Sequence, residues 1–441
     1  MAKTGSLKGV VRKRYVQVGL GSRSRMYTGA LLGDYKQYGQ IVGLCDTNQG
    51  RMDLTNKLLV EKGVKPAPTF MPHQFDEMIR QTKPNTVIVT TMDSTHAHYI
   101  CRSMELGCDV YSEKPLTIDE ISCRRILEVS KRTGRTCRVT FNYRYAPPRS
   151  QVKQLLMDGT IGEILSVDFC WLLDTRHGAD YFRRWHRNRQ NNGSLLVHKA
   201  THHFDLVNWW LDDIPQDVFC HGTRKFYTPQ MADSMGLTSR AQRCLVCPSK
   251  TKCRFVLDLE KSEGLRDMYL DCEKHDGYLR DRCVFADDIS IWDTMSLSAR
   301  YTSGTLLSYM LHTYSPYEGY RIAFNGTRGR LEHAACEDTY ISGQDEVPGE
   351  LTKNKVSVTL IPEFSSPQAL DPWTGTGGHG GGDPVLLNDI FHPHPAKDSL
   401  KRQATAKDGV LSSLVGIAAY HSIDTGRAVR IADLLGDAPL E

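Results

Sequence analysis

The first third of the chain alternates short apolar runs with amphipathic segments. The apolar runs predict buried strands at residues 15–20, 40–45, 86–90 and 109–111. The segments between them predict helices at residues 50–62, 72–81, 96–106 and 118–133. Strands that alternate with helices in this way are typical of a parallel sheet covered on both faces. We therefore predict a doubly wound α/β domain over residues 1–135.

The pattern changes after about residue 135. A strand at 136–141 and a helix at 147–157 precede long strands of alternating character at 162–171, 289–301 and 305–311. Such alternation predicts a large, open and mostly antiparallel sheet with one face covered. We therefore predict a second, α+β domain over residues 136–441. Residues 224–288 are polar, irregular and rich in cysteine, which indicates an insertion in that domain.

Composition and charge restrict the classes of function. The 441 residues are 40% hydrophobic and 24% charged, as expected of a globular protein. The formal net charge of +4 gives no general attraction to nucleic acid or anionic lipid. No run approaches the roughly 20 apolar residues of a membrane span, and the N-terminus lacks an apolar signal core. We expect a cytoplasmic protein whose 13 cysteines are mostly reduced or bound to metal.

A glycine turn follows the first predicted strand. Gly19 and Gly21 stand in the sequence VGLGSRSR, and Ser22 and Arg23 lead into the next helix. Glycine here lets the backbone approach a pyrophosphate, while the helix N-terminus directs N–H groups at the same anion. Ser24 replaces the third glycine of the usual Rossmann fingerprint, so a simple turn is the alternative. We predict that this turn binds the phosphates of a dinucleotide.

An acidic residue ends the second predicted strand. Asp46, in IVGLCD, has the position from which a carboxylate accepts hydrogen bonds from both ribose hydroxyls. The same carboxylate would repel a 2′-phosphate, which favours NAD over NADP, although Arg51 nearby weakens this preference. The alternative is that Asp46 only caps the next helix.

Two further motifs, TTMDSTHAHY at 90–99 and VYSEKP at 110–115, complete an ordered set. With the glycine turn they resemble the Gfo/Idh/MocA family, which includes glucose–fructose oxidoreductase and inositol dehydrogenase. The resemblance covers almost the whole chain and implies a Rossmann domain, a substrate domain built on an open sheet, and a nicotinamide between them. It further implies a cofactor site that includes Thr91, His96, Glu113, Lys114 and Pro115.

Lys114 is the lysine that the resemblance implies at the active site. A lysine at the end of a sheet strand faces the crevice where such folds bind ligands. Partial burial there would lower its pKa and ease proton transfer near neutral pH. The alternative is a surface lysine before a turn.

A second catalytic segment is GSLLVHKATHHFDLVNWW, at 193–210. On one continuous helix His198, His202 and Asp205 share a face, because they are three or four positions apart. The family commonly has an aspartate where His198 stands, whereas His202 and Asp205 match its pattern. We predict that Lys114 and His202 move the proton and that His198 and Asp205 orient them. The alternatives are a polar helix end with satisfied histidines and a zinc-binding histidine pair, which the lysine between them disfavours.

Several aromatic and polar side chains suit a polyhydroxylated substrate, because aromatic faces and bidentate arginines bind sugar rings and hydroxyls. The predicted substrate residues are Asn142, Arg144, Trp185, Arg187 and His203. A basic surface loop is the alternative for Trp185 and Arg187. His379 and Asp383 lie on a glycine-rich segment, 374–383, which either closes over the substrate or serves as a linker.

The insertion carries a cysteine cluster. Cys244, Cys247 and Cys253 lie in CLVCPSKTKC, which resembles half of a structural zinc site. Cys272 or Cys283 would supply the fourth thiolate, and we favour Cys283. A metal would explain how this polar segment stays ordered. A thiol redox pair and scattered unpartnered thiols are the alternatives.

These residues together predict an NAD-dependent oxidoreductase, with NADP the less favoured cofactor. Hydride would pass between a secondary hydroxyl of a sugar, glycoside or cyclitol and the nicotinamide. The alternative enzyme is a redox-neutral, NAD-dependent glycosidase, because some relatives oxidise the sugar transiently, eliminate the aglycone and reduce again. A non-catalytic sensor is a third hypothesis, which the presence of both Lys114 and His202 disfavours. An exposed open sheet commonly pairs with a copy of itself, so we expect a homo-dimer or tetramer, with neither nucleic acid nor a membrane as partner.

Overall fold

A computed structural model describes residues 11–339 and 355–438 of the chain. Its strands are β1 (Lys13–Val18), β2 (Gly39–Cys45), β3 (Thr69–Phe70), β4 (Thr86–Val89), β5 (Asp109–Ser112), β6 (Cys137–Val139), β7 (Ile164–Asp174), β8 (Pro215–Thr223), β9 (Thr294–Tyr301), β10 (Leu306–Ser315), β11 (Tyr317–Gly326), β12 (Gly329–Thr339), β13 (Lys355–Pro362), β14 (Gln368–Leu370), β15 (Ala404–Thr405) and β16 (Val429–Arg430). Its helices are α1 (Ser24–Leu32), α2 (Gln49–Glu61), α3 (Phe75–Thr82), α4 (His96–Glu105), α5 (Glu120–Thr133), α6 (Pro147–Met157), α7 (His177–Arg183), α8 (Arg189–Asn192), α9 (Leu195–His198), α10 (Thr201–Leu211), α11 (Pro229–Ser234), α12 (Glu263–Leu265), α13 (Glu273–Asp276), α14 (Gly378–Phe391), α15 (Ala406–Thr425) and α16 (Ile431–Leu435).

The first domain contains a seven-stranded sheet in the order β15-β6-β5-β4-β1-β2-β3. All neighbours are parallel except the short β15, which returns from the C-terminal part of the chain to pair with β6. All four residues of the central strand β4 are buried, as helices on both faces require. The order 3-2-1-4-5-6 is that of a Rossmann domain, and a crevice opens at the carboxyl ends of β1 and β4. The predicted doubly wound parallel sheet is confirmed.

The second domain contains a nine-stranded sheet in the order β14-β13-β12-β11-β7-β10-β9-β8-β16. Only β7 and β10 are parallel neighbours among the strands described, so the predicted mostly antiparallel sheet is confirmed. Buried residues alternate with exposed ones along β9, which packs one face on the core. Helix α15 contacts β8 of this sheet and α5 of the first domain. Strand β6, which follows the boundary predicted at residue 135, pairs with β5 of the first sheet.

The segment at 193–210 forms two helices instead of one continuous helix. Ser194, with a φ of 75°, starts α9 by accepting a hydrogen bond from the N–H of Leu196. Lys199 and Ala200 lie between the end of α9 and the start of α10. Because of this break, the side chain at the end of α9 does not have to share a face with those on α10.

The predicted insertion at 224–288 contains only the short helices α11, α12 and α13, apart from single turns and a five-residue π-helix at Arg266–Leu270. It extends back to the first domain, where the Asn48 side chain donates to the carbonyl oxygen of Cys272 at 2.9 Å. Within residues 11–339 and 355–438, every helix is too short or too polar to cross a membrane. Residues 1–10, on which the expectation about a signal peptide rests, lie outside the described residues.

Candidate active site

The glycine turn after β1 is shaped for the close approach of an anion. Gly19 has a φ of 82°, and a Cβ there would lie 2.6 Å from the carbonyl oxygen of Thr90. A Cβ on Gly21 would meet no described atom within 4 Å, so the backbone there borders open space. Helix α1 begins at Ser24 with no acidic residue in its first turn and no side-chain cap from any residue that the structure describes. Its first N–H groups and its dipole therefore fit a phosphate.

Asp46 connects the glycine turn to the end of β2. One carboxylate oxygen accepts from the Leu20 N–H at 2.5 Å and the other from the Asn48 N–H at 2.8 Å. Asn48 is the residue that caps α2, because its side chain accepts from the N–H of Arg51. The alternative of Asp46 as a helix cap is therefore wrong. The carboxylate stands beside the turn, where a ribose-binding group is required.

Arg51 is held by the insertion. Its Nη1 lies 3.0 Å from Asp276 Oδ2, and its guanidinium carbon lies 5.8 and 5.7 Å from the ring centres of Tyr269 and Tyr278. Tyr269 also hydrogen-bonds Ser22 of the glycine turn. The insertion thus covers the nucleotide side of the first domain, a contact that the sequence did not reveal.

Glu113 and Arg23 form an ion pair next to the turn. Arg23 Nε lies 2.5 Å from Glu113 Oε1, and the same oxygen accepts from the Tyr27 hydroxyl at 2.7 Å. Burial alone would raise the pKa of Glu113, but Arg23 and Lys114 hold it below its usual value. Glu113 therefore stays ionised and fixes the position of Arg23.

His96 connects the ends of β4 and β5. Its Nδ1 lies 2.7 Å from the carbonyl oxygen of Pro115, and its Nε2 lies 3.1 Å from that of Thr91. Burial lowers its pKa, so the ring is neutral near pH 7. His96 therefore braces the loops that carry Thr91 and Pro115 at the crevice.

Lys114 extends from the loop after β5 to the last residue of α9. Its Nζ donates to the carbonyl oxygen of His198 at 3.0 Å and lies 3.5 Å from Nε2 of the same residue. The other ring nitrogen of His198 lies 2.5 Å from Asp93 Oδ2. Burial lowers the pKa of Lys114 to about 8, although Asp93 and Glu113 oppose the shift. The amine can therefore lose and regain a proton near physiological pH.

His202 lies beside this group and stacks on Tyr143. The two ring centres are 3.9 Å apart and the planes differ by 10°. The Nδ1 atom of His202 is buried and has no hydrogen-bond partner among the described residues. Burial lowers the pKa of His202 well below its usual value, and the charges of Lys114 and Lys199 lower it further. The ring is therefore neutral near pH 7.

The glycine-rich segment forms a wall of the same site. Asp383 accepts from the side chain of Asn142 at 2.6 Å and lies 2.8 Å from Nδ1 of His379. The His379 ring centre is 5.8 Å from that of Tyr143. A Cβ on Gly382 would lie 2.4 Å from the carbonyl oxygen of Asn142, so only glycine allows this approach. The segment is therefore packed against the site and is not a plain linker.

Asp205 and Arg144 bind each other, which corrects both predicted roles. Arg144 donates to the two carboxylate oxygens of Asp205 at 2.8 and 2.6 Å and to Asp408 at 3.0 Å. Asp205 is fully buried and Arg144 is 2% exposed. The hydrogen bonds of Arg144 join Asp205 on α10 to Asp408 on α15. Asp205 therefore does not orient His202, and Arg144 is not a substrate ligand.

Arg187 and His203 are also internal residues of the second domain. Arg187 donates to the carbonyl oxygen of Cys283 at 3.2 Å and pairs with Asp288. His203 is fully buried, and its Nδ1 lies 2.6 Å from the Tyr309 hydroxyl. Both side chains are buried inside the second domain, so their predicted contact with substrate is corrected.

Trp185 lies closer to the proposed catalytic residues. Its ring stacks on that of His186 at 3.6 Å, and His186 lies 4.1 Å from the ring centre of His198. His186, Asp93, Tyr143 and Lys199 were all missed by the sequence analysis. Asp93 lies inside the TTMDSTHAHY motif, which was the one available signal for it. The other three lie in segments that the sequence analysis did identify, at 193–210, next to Asn142 and next to Trp185, but no role was assigned to them.

The four predicted zinc ligands line one small cavity of the insertion: Cys244, Cys247, Cys253 and Cys283. Among the residues with described positions, however, no three His, Cys, Asp or Glu side chains come together closely enough to hold a metal ion. Ion pairs order the segment instead, since Arg243 lies 2.6 Å from Glu273 and 2.8 Å from Asp281. The structure therefore supports neither the structural zinc nor the zinc-binding histidine pair.

The strand order, the glycine turn and the polar group around Lys114 define the class of protein: a Rossmann-fold, dinucleotide-binding oxidoreductase with a second α/β domain. Residues 13–141 match "Oxidoreductase family, NAD-binding Rossmann fold", and residues 153–431 match "Oxidoreductase family, C-terminal alpha/beta domain". The chain belongs to the Gfo/Idh/MocA oxidoreductase family.

Named relatives agree with this membership. The chain is 35% identical over 433 residues to "Putative oxidoreductase YteT" of Bacillus subtilis, which covers 96% of this chain and 98% of the relative. It is 23% identical over 194 residues to "Glycosyl hydrolase family 109 protein 1" of Akkermansia muciniphila, covering 42% and 40%. The WlbA dehydrogenase of Bordetella pertussis, solved with NADH and UDP-GlcNAcA, has the same fold at a TM-score of 0.62 and 15% identity, covering 95% and 99%.

Proposed function

We propose that this protein is an NAD-dependent dehydrogenase that oxidises a secondary hydroxyl of a sugar, glycoside or cyclitol. The observation that carries the proposal is the buried amine of Lys114, whose pKa is lowered to about 8 and whose Nζ lies 3.0 Å from the carbonyl oxygen of His198, with the neutral ring of His202 close enough to feel its charge. Both stand near the crevice where a Rossmann domain binds its cofactor.

The residues present fit NAD. The turn at Gly19 and Gly21 and the first turn of α1 would hold the pyrophosphate, and Asp46 would accept the ribose hydroxyls. Arg51 is engaged by Asp276, which reduces its availability to a 2′-phosphate and supports NAD over NADP. When bound, NAD supplies the hydride acceptor for the reaction.

Residues of the chain itself receive the proton of the substrate hydroxyl. Lys114, in its neutral form, accepts the proton of the substrate hydroxyl, and the neutral ring of His202 helps to position that hydroxyl. His198 orients Lys114 through its carbonyl oxygen and ring, and Asp93 fixes that ring. Tyr143 holds His202 flat against its face, and Lys199 fixes Tyr143 by donating to its hydroxyl at 2.9 Å.

A redox-neutral glycosidase is the second candidate, because a relative carries the name of a glycosyl hydrolase family. The test is a panel of sugars, cyclitols and nitrophenyl glycosides with NAD and NADP, followed at 340 nm for NADH and at 405 nm for nitrophenol. Net NADH supports the dehydrogenase, and nitrophenol without net NADH supports the glycosidase. A panel that yields neither product contradicts both.

A further inference from the structure

A large cavity opens in the second domain beside the proposed catalytic residues. Its volume is about 1850 Å³, above the roughly 300–1,000 Å³ of ordinary small-molecule sites. Tyr143 and His379 belong to its lining, and Tyr143 stacks on His202. The ring of Tyr143 therefore lies between the cavity and His202.

Three arginines share the carboxylate of Asp180, and two of them, Arg183 and Arg280, line this cavity together with it. Arg280 Nη1 lies 2.7 Å from Oδ1 of Asp180, and its Nη2 donates to Oδ2 at 2.8 Å. Arg183 and Arg184 each lie 3.5 Å from the same carboxylate. Burial alone would raise the pKa of Asp180, but the three arginines hold it well below its usual range. With Asp180 ionised, this arginine cluster keeps an excess of two positive charges.

Two of the three arginines are buried. Arg183 and Arg280 are only 5% and 8% exposed. Arg183 Nη1 and Arg280 Nε have no hydrogen-bond partner in the part of the chain that is described. Desolvated guanidinium groups without partners are costly, so such a cluster is typical of a site for an anion.

The other acidic side chains of the lining are engaged elsewhere. Glu318 binds His177 at 2.8 Å, Glu337 pairs with Arg149, Asp258 lies 3.1 Å from Lys250, and Asp174 accepts from the backbone N–H groups of Arg176 and His177. None of these four described carboxylates forms an ion pair with the arginine cluster, whereas Asp93, outside the lining, is close enough to Arg184 for that charge to oppose the rise in its pKa.

The arginine cluster lies next to the proposed catalytic residues. Asp180 and Arg183 belong to α7, and Tyr181 of the same helix has its ring centre 5.4 Å from that of His198. Arg184 is close enough to His198 to lower its pKa, after burial and Lys114. We therefore expect one small molecule to reach both the arginine cluster and the residues Lys114 and His202.

We propose that Arg183, Arg184 and Arg280 bind an anionic substituent of the substrate, so that this protein acts on acidic sugars carrying a carboxylate or a phosphate. The inference rests on the proposed function and names its substrate class. Guanidinium groups suit both anions, because their paired N–H groups match the oxygens bidentately.

The test compares matched sugars on the wild-type protein with NAD. Methyl β-D-glucuronide and methyl α-D-galacturonide supply the carboxylate, and glucose 1-phosphate supplies the phosphate. Methyl β-D-glucoside and methyl α-D-galactoside are the neutral counterparts. We expect kcat/KM to be about 10- to 100-fold higher for one anionic group than for its neutral counterpart, the range of a hydrogen bond to a charged group. Whether the uronides or the phosphate give the preference identifies the anion.

Arg280→Met and Arg183→Met should reduce this preference to less than about threefold, and Arg280→Lys should keep part of it. Arg300→Met is the matched control, because Arg300 is exposed on β9 and pairs with Asp217. Circular dichroism and thermal melting establish that each variant is folded. Equal rates for anionic and neutral sugars, or a preference unchanged in the variants, would overturn the inference. A fall in NAD affinity without a change in the preference for anionic sugars would also overturn the inference, since the arginines would then bind the dinucleotide.

Failure of the proposed function gives a different result. If no sugar yields NADH, calorimetric titration with methyl β-D-glucuronide, glucose 1-phosphate and methyl β-D-glucoside tests binding alone. If an anionic sugar binds to the wild type and Arg280→Met abolishes this binding, the inference holds and the dehydrogenase is rejected. Lack of binding by either anionic sugar rejects the inference.

Discussion

The pH dependence of sugar oxidation should follow the titration of Lys114. The proposed reaction needs an unprotonated amine to accept the hydroxyl proton, and burial lowers the pKa of this amine to about 8. Oxidation should therefore be slow at pH 6, rise through pH 8 and level off above pH 9. The reverse reaction, which needs the protonated amine, should fall over the same range.

The size of the effect follows from the same pKa. With a pKa of about 8, roughly one tenth of the amine is neutral at pH 7 and about nine tenths at pH 9, so kcat should rise nearly tenfold. Lys114→Arg keeps the positive charge but cannot lose its proton in this range, so the rise should disappear. Lys114→Met should lower kcat by about 10²- to 10⁴-fold at every pH.

The assay is NADH formation at 340 nm between pH 6 and pH 10, with the best substrate of the panel at saturation. Lys131→Met is the control, because Lys131 is exposed on α5. Its profile should match that of the wild type. If Lys114→Arg keeps a tenfold rise centred near pH 8, the proton acceptor is another group and the assignment of Lys114 is refuted.

Three further perturbations test the structure around the site. Asp205→Asn leaves buried Arg144 without its main partner, so the free energy of unfolding measured in urea should fall by about 3–5 kcal/mol. A fall below about 1 kcal/mol would contradict the internal ion pair. Gly19→Ala should abolish NAD binding measured by calorimetry, because its Cβ would strike the backbone at 2.6 Å. The control is Gly63→Ala, which shares a positive φ but meets no described atom within 4 Å and should bind NAD normally. Tyr269→Ala should raise the NAD dissociation constant by roughly 3- to 10-fold through the lost hydrogen bond to the glycine turn, and an unchanged constant would show that the insertion does not hold the nucleotide.

Local patterns were sufficient for the parts of the protein that depend on short segments. Buried parallel strands are continuous apolar runs, so β1, β2, β4 and β5 were predictable to within one or two residues. Gly19 and Asp46 were predictable because each follows a strand end, and parallel strands end at the same edge of the sheet. Lys114 was predictable for the same reason.

The remaining parts depend on contacts between distant segments. His198 binds Asp93, 105 positions away, and Arg144 binds Asp205, 61 positions away. Helical periodicity places Asp205 on the face of His202, but it carries no information about an arginine that arrives from another element. The break at Lys199 also separates α9 from α10, although the sequence has good helical periodicity. The zinc prediction is not supported, because its four cysteines line one cavity but no three described His, Cys, Asp or Glu side chains come close enough to hold a metal ion.

The most direct test of the central claim follows the hydride. A substrate from the panel, deuterated at the carbinol carbon, is mixed with excess protein and NAD, quenched after a single turnover and examined by mass spectrometry. The account predicts that the wild type moves the deuterium to the nicotinamide, giving NADH one mass unit heavier, and that Lys114→Met forms this product at least about 100-fold more slowly. Conversion of the substrate with unlabelled cofactor, or equal deuterium transfer by Lys114→Met, would contradict it.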